Sequence, residues 1–360
     1  MAYNLRFKFD AGTSRGVLKS KDTYILQLSS QEYPGKLGYG EAGPLKGLSI
    51  DDVPDFAEKA ATALRRIEAL ELNDEIPYIF EMLTKEIDSQ LPSLRFALET
   101  AIIDLIHGGN KILFPSPFTL GKQALPINGL IWMGDPGFMQ EQISKKLEEG
   151  YSCIKLKIGA MDFAQECKLL EGIRKDFSSD QVILRVDANG AFKAETAMEK
   201  LKALAAYELH SIEQPISPGE WEKMAKLCRE SPVPVALDEE LIPIVEYEEK
   251  KSLLEILMPP YIILKPTLLG GLASCKEWIA LAEEKGIGWW MTSALESNIG
   301  LNAIAQFTAM TGNPLHQGLG TGQLYHNNIS SPLAIDKGHL LLDRNKGWQD
   351  LSLIISDPYE

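Results

Sequence analysis

Five short apolar runs in the second half of the chain each end on a charged residue, and those ends recur at a nearly constant interval. The runs are SCIKLK, VILRVD, HSIE, PVALD and YIILK. They end at Lys157, Asp187, Glu213, Asp238 and Lys265, which stand 30, 26, 25 and 27 residues apart. An interval of that length holds one strand, one helix and their turns. Helical apolar spacing fills the gaps at residues 163–175, 194–207, 220–230 and 272–285. PINGLIWM before the five runs, and GIGWWMT and HQGLG after them, bring the expected strand count to eight. Eight such units close into a β/α barrel more naturally than into a doubly wound sheet, whose glycine-rich dinucleotide turn is missing here.

The first 120 residues do not share this rhythm. LRFKFD puts Leu5, Phe7 and Phe9 on one face, TYILQLSS is a second strand, and KLGYGEAGPL leads a strand into a loop. Helices are expected at residues 51–72 and 93–106. Strands followed by helices indicate an α+β unit over residues 1–120. The barrel is expected over 121–334, with residues 335–360, including the run GHLLLD, returning to complete the first unit.

Catalytic groups in a barrel sit at the C-terminal ends of its strands. Period two sends Lys155 and Lys157 inward and Leu156 outward. One charge at a strand end is ordinarily a snorkelling or paired residue. Three carboxylates on consecutive strands flanked by lysines are harder to explain that way, because desolvating so many ions is costly. Converging carboxylates call for a cation between them. An all-oxygen set suits Mg²⁺ first and Mn²⁺ second, and the five scattered histidines show no zinc spacing. A nearby divalent ion and neighbouring ammonium groups are expected to lower a lysine's pKa toward neutrality. The implied chemistry is proton abstraction beside a carboxylate.

The formal net charge of −14 argues against nucleic-acid or anionic-membrane partners. Cys153, Cys167, Cys228 and Cys275 form no paired spacing, and MAYNLRFKFD lacks the apolar stretch of a secretory signal. No apolar run reaches the length of a membrane span. The expectation is a cytoplasmic protein acting on a small carboxylate, with a homo-oligomer left open.

KLK, RVDANG, IEQP, ALDEE and ILKP, in this order and spacing, resemble the muconate-lactonizing-enzyme subgroup of the enolase superfamily. The resemblance implies a (β/α)7β modified TIM barrel beneath an α+β capping domain. TSRGVL, GYGEAGPL, INGLIWMG, LKPTLLGG, SALESNIGLNAIAQ and GLGTGQLY resemble the o-succinylbenzoate synthase family within that subgroup. By the resemblance, Asp187, Glu213 and Asp238 hold Mg²⁺, with Mn²⁺ as a substitute. Lys157 is the base that removes an α-proton and then the acid that protonates the departing hydroxyl, and Lys265 stabilises the enediolate from the other face. Lys155 tunes Lys157, with Arg185, Asn189 and Glu239 in support. The implied reaction is Mg²⁺-dependent syn-dehydration of 2-succinyl-6-hydroxy-2,4-cyclohexadiene-1-carboxylate to 2-succinylbenzoate, a step of menaquinone biosynthesis. N-acylamino acid racemisation and dipeptide epimerisation use the same apparatus. Dipeptide epimerases of the subgroup carry an Asp-x-Asp where this chain has SALES.

Further residues have two readings each. Residues 12–18 form either a lid that brings Arg15 to substrate or a plain loop. Ser293 and Glu296 either line the pocket, or Ser293 caps the helix starting at Asn298. GLGTG is a barrel-closing turn more readily than a phosphate cradle. Of Trp289 and Trp290, one should face the barrel and the other the helices.

Overall fold

The computed structural model describes residues 1–13, 16–70 and 73–351. The first unit is a three-stranded antiparallel sheet, β1 (Ala2–Thr13), β2 (Gly16–Leu28) and β3 (Gly38–Ala42), backed by helices Phe56–Ile67, Ile76–Glu86 and Pro92–Ile106. The helix expected over 51–72 starts later, because residues 51–55 are taken up by turns. Helix Ile76–Glu86 was not expected; Pro77 at its start and four buried side chains define it. Helix Pro92–Ile106 is buried along nearly its whole length and lies under β3. That approach needs glycine: a Cβ at Gly40 would stand 1.9 Å from the Ala97 carbonyl oxygen.

After β4 (Leu125–Pro126) the chain lays down seven parallel strands in sequence order: β5 (Gly129–Ile131), β6 (Cys153–Lys157), β7 (Ile183–Asp187), β8 (Ser211–Glu213), β9 (Val235–Leu237), β10 (Tyr261–Leu264) and β11 (Gly288–Met291). Helices connect them; the four expected lie within a few residues of their bounds, while Pro136–Glu148 and Tyr247–Leu257 were not singled out from the sequence. The eighth stave is reduced to residues 317–318. Gln317 bridges Ile127 and Gly318 bridges Thr292, both in parallel, so HQGLG closes the ring between the last strand and the first. The inward faces carry their own apolar layer of Ala236, Ile263 and Trp290, separate from the core under the helices. Trp290 accordingly faces the barrel, while Trp289 faces outward and donates to Glu283 at 3.3 Å.

GHLLLD does form a strand, β13 (His339–Leu342), but it does not rejoin the first sheet. It pairs with β12 (Leu333–Asp336) and with β4, which leads into the barrel. The chain reaches the first unit just beyond, where Leu351 packs with Ile25, Tyr39 and Ile299. Among the described residues no helix is long and apolar enough to cross a membrane.

Candidate active site

Register places the charged strand ends in one layer. Lys157 is level with Asp187 across β6 and β7, and Asp187 with Glu213 across β7 and β8. Asp238 and Lys265 extend from the ends of β9 and β10. All three carboxylates are withdrawn from solvent, at 0, 2 and 1% exposure. Lys155 reaches Asp187 at 2.9 Å and Glu213 at 2.5 Å. Lys157 donates to Asp187 at 2.5 Å and to the Asn189 side-chain oxygen at 2.8 Å, and Lys265 donates to Asp238. The structure thus brings all six residues together, with a lysine contact on every carboxylate.

These contacts set the charge balance. Burial works against ionisation of Asp187, but Lys155 and Lys157 hold its carboxyl well below the usual range. Glu213 goes the other way, pushed well above it by burial and by Asp187. Asp238 is lowered by Lys265 against its own burial. Burial disfavours the charged forms of Lys155 and Lys265, yet the surrounding carboxylates hold both above the ordinary lysine value. The lowering expected from the sequence was for a lysine beside a bound divalent ion. Three carboxylates surround the ammoniums here, and lowering requires a cation to take up that negative charge.

The donor set fits a hard divalent ion. It offers buried carboxylate oxygens, and Glu213 Oε1 has no hydrogen-bond partner. Among the described residues no three acidic, histidine or cysteine side chains already form an ion cage. Each of the three carboxylates has a lysine ammonium against it.

A second ring of residues holds the first. Asn189 has a left-handed backbone (φ 43°), accepts from Lys157 and donates to Glu239 at 2.9 Å. The sequence reading missed Gln214 and Glu240. Gln214, fully buried with φ 38°, accepts from the Asp238 and Glu240 backbone N–H groups and donates to the Glu240 carboxylate, tying the end of β8 to that of β9. IEQP and ALDEE contain both residues, but neither stands out by charge pattern or spacing.

Other expectations fare differently. Arg185 lies one layer below the carboxylates, with its guanidinium 3.9 Å from the Trp290 ring centroid and donating to the His316 carbonyl at 2.7 Å. It supports the barrel floor and makes no hydrogen bond to the metal-binding candidates or the lysines. Ser293 is on the cavity wall, where Thr321 donates to it at 2.7 Å. The cap of helix Asn298–Thr311 is Ser297 rather than Ser293. Glu296 does not line the pocket. It is buried behind the wall, accepting from Thr267, Ser293 and the Ala294 N–H. Arg15 lies outside the described residues, although Gly16–Leu18 beside it reach the cavity. Gly318 and Gly320 also line it.

The cavity above this layer has a volume of about 1070 Å³ and is walled by both units: β1, the start of β2 and residues 45–48 from the first, strand ends from the barrel. Lysines 155, 157 and 265 face into it, and the carboxylates lie behind them.

Comparison with known proteins agrees with this fold. Residues 139–348 match the family model described as enolase C-terminal domain-like. The chain is 48% identical over 358 residues to the o-succinylbenzoate synthase of Desulfotalea psychrophila, covering 94% of this chain and 96% of that one. The crystal structure of MenC from the same organism superposes with a TM-score of 0.80 at 44% identity, over 94% of this chain and 99% of that chain. The L-Ala-D/L-Glu epimerase of Bacillus subtilis superposes with a TM-score of 0.83 at 19% identity, over 98% and 96% of the two chains, a likeness of fold. A capped barrel with lysine-flanked carboxylates at its strand ends, matched over more than half its length by that family model, belongs to the enolase C-terminal domain-like family.

Proposed function

We propose that the protein is an o-succinylbenzoate synthase, dehydrating 2-succinyl-6-hydroxy-2,4-cyclohexadiene-1-carboxylate to 2-succinylbenzoate. The supporting observation is the 48% identity to such an enzyme over nearly the whole of both chains, combined with lysines on opposite sides of a carboxylate cluster. Asp187, Glu213 and Asp238 would hold a divalent cation, Mg²⁺ or Mn²⁺. When bound, that cation supplies positive charge for the carboxylate oxygens of the substrate as the α-proton leaves. Lys157, as the free amine, takes the α-proton; the same ammonium then protonates the hydroxyl leaving from the same face, so water departs, the ring becomes aromatic and the amine is restored. Use of one lysine for both transfers accounts for a syn elimination. Lys265, on the far side of the ring of strands, offers an ammonium to the developing negative charge. Asn189 and Glu239 orient Lys157, and Lys155 bridges Asp187 and Glu213.

The absence of any Asp or Glu among the described cavity-lining residues speaks against dipeptides, whose ammonium group needs a carboxylate partner. N-succinyl amino acids satisfy the same chamber, and racemisation of them is the second reading. A cytoplasmic setting and a place in menaquinone biosynthesis follow from the first.

The test is turnover of the cyclohexadiene carboxylate with Mg²⁺, with EDTA, and by Lys157→Ala. The reading expects activity only with metal and a loss of about 10³-fold or more in the variant. Near-native rates in Lys157→Ala would overturn the base assignment. Exchange of the α-proton of N-succinyl amino acids without dehydration would favour the second reading.

A further inference from the structure

We propose that Lys8 and Lys46, exposed lysines of the first unit at the cavity mouth, draw the dianionic substrate in by their electric field and set its rate of capture without touching the reacting atoms. This rests on the dehydratase reading above. A chain of formal charge −14 should repel a dianion. Its cavity nevertheless presents seven lysines, at 8, 46, 145, 146, 155, 157 and 265, and among the described residues no Asp or Glu. The three inner ones have their charge offset by Asp187, Glu213 and Asp238 behind them. Lys146 pairs with Glu149 at 2.7 Å. Lys145 shares its helix with Glu141 and Glu148, close to it in sequence.

Lys8, on β1, and Lys46, in the turn after β3, are the two that the first unit contributes. Both are exposed, and neither forms an ion pair among the described residues. Each lines the cavity and is open to solvent, which puts it at the rim. Charges of one sign around a cleft with low-dielectric walls concentrate their field in the opening and raise the local concentration of a counter-charged ligand. The effect reaches only a few ångströms at high salt, so it is separable from contact binding. The inner lysines serve the chemistry, and the outer two counter the acidity of the rest of the molecule.

The experiment measures kcat and kcat/KM for the cyclohexadiene carboxylate, with Mg²⁺, across ionic strength. Wild type is compared with K8Q/K46Q and with K168Q/K202Q, which removes the same charge from exposed positions on the outer barrel helices. At low salt K8Q/K46Q should lose about tenfold in kcat/KM with kcat within about twofold of wild type. The difference should shrink at high salt, and K168Q/K202Q should match wild type throughout. Equal losses in both variants would assign the effect to net charge and overturn the proposal. So would an unchanged kcat/KM in K8Q/K46Q, or a loss confined to kcat. Failure of the wild type to dehydrate the substrate at all would instead overturn the functional reading. In that case the binding rate of 2-succinylbenzoate, followed by tryptophan fluorescence, tests the field in the same three proteins.

Discussion

The proposed proton-abstracting amine is held from two sides, by the Asp187 carboxylate and by an uncharged amide. Asn189 sits at φ 43°, where asparagine is better tolerated than most residues, and this backbone turns its oxygen onto Lys157 and its amide onto Glu239. Asn189→Ala should lower kcat at least tenfold, because the lysine loses its orientation. Thermal stability should fall by only about 1–2 kcal/mol, the cost of a left-handed alanine. An unchanged kcat would mean that Asp187 alone orients the lysine. At this scale the sequence was legible where charge interrupts apolar runs, as at Asp187, Glu213 and Asp238. It was not legible at Gln214 and Glu240, whose roles depend on a bond between two strand ends that no local pattern announces. Glu296 shows the converse: an acidic residue in a promising motif whose oxygens are consumed by Thr267, Ser293 and a backbone N–H.

Helix starts repeat this lesson with a common device. Three buried carboxylates of the first unit each accept from the N-terminus of a helix remote in sequence. Asp51 accepts from the Ser93 N–H at 2.9 Å and from its hydroxyl at 2.5 Å. Glu41 accepts from the N–H groups of Ser297 and Gly300 at 2.8 and 2.9 Å, and Glu99 accepts from those of Leu272 and Ala273. Such partners suit the free N–H groups and positive end of a helix. Being remote, they leave no capping signature beside Pro92 or Gly271, which is why helix bodies could be read from periodicity while their anchors could not. Two of the three fix the first unit to the barrel and so fix the roof of the cavity. Glu41→Ala should cost about 3 kcal/mol in urea unfolding, since it orphans several buried donors. A cost under about 0.5 kcal/mol would remove it from this role. Glu99 adds a pH dependence. Burial raises its carboxyl from 4.5 to about 8, so the fold favours its neutral form. Stability from this group is complete below the unfolded value and is lost as pH rises through about 8. The melting temperature should therefore fall between pH 6 and 8.5, and Glu99→Gln should flatten that fall. An identical slope in the variant would rule Glu99 out as its source.

Across the whole molecule, a regular barrel supplies the proposed reacting groups and an irregular first unit helps wall the cavity above them. The barrel was readable because one β/α unit repeats and each repeat ends on a charge. Its closure was readable only as HQGLG, since residues 317–318 contribute single bridges rather than a full strand. The path of GHLLLD was misjudged because an apolar strand carries no mark of its partner, and β4 is only two residues long. What unites the two scales is the carboxylate layer, contacted by three ammoniums and proposed as the seat of a divalent cation. Isothermal titration of Mn²⁺ into the EDTA-treated protein, and into Asp187→Asn, Glu213→Gln and Asp238→Asn, examines that layer directly. One ion per wild-type chain, with binding weakened at least a hundredfold in each variant, is the predicted result. Wild-type affinity retained in all three variants, or no binding to the wild type, would contradict the account.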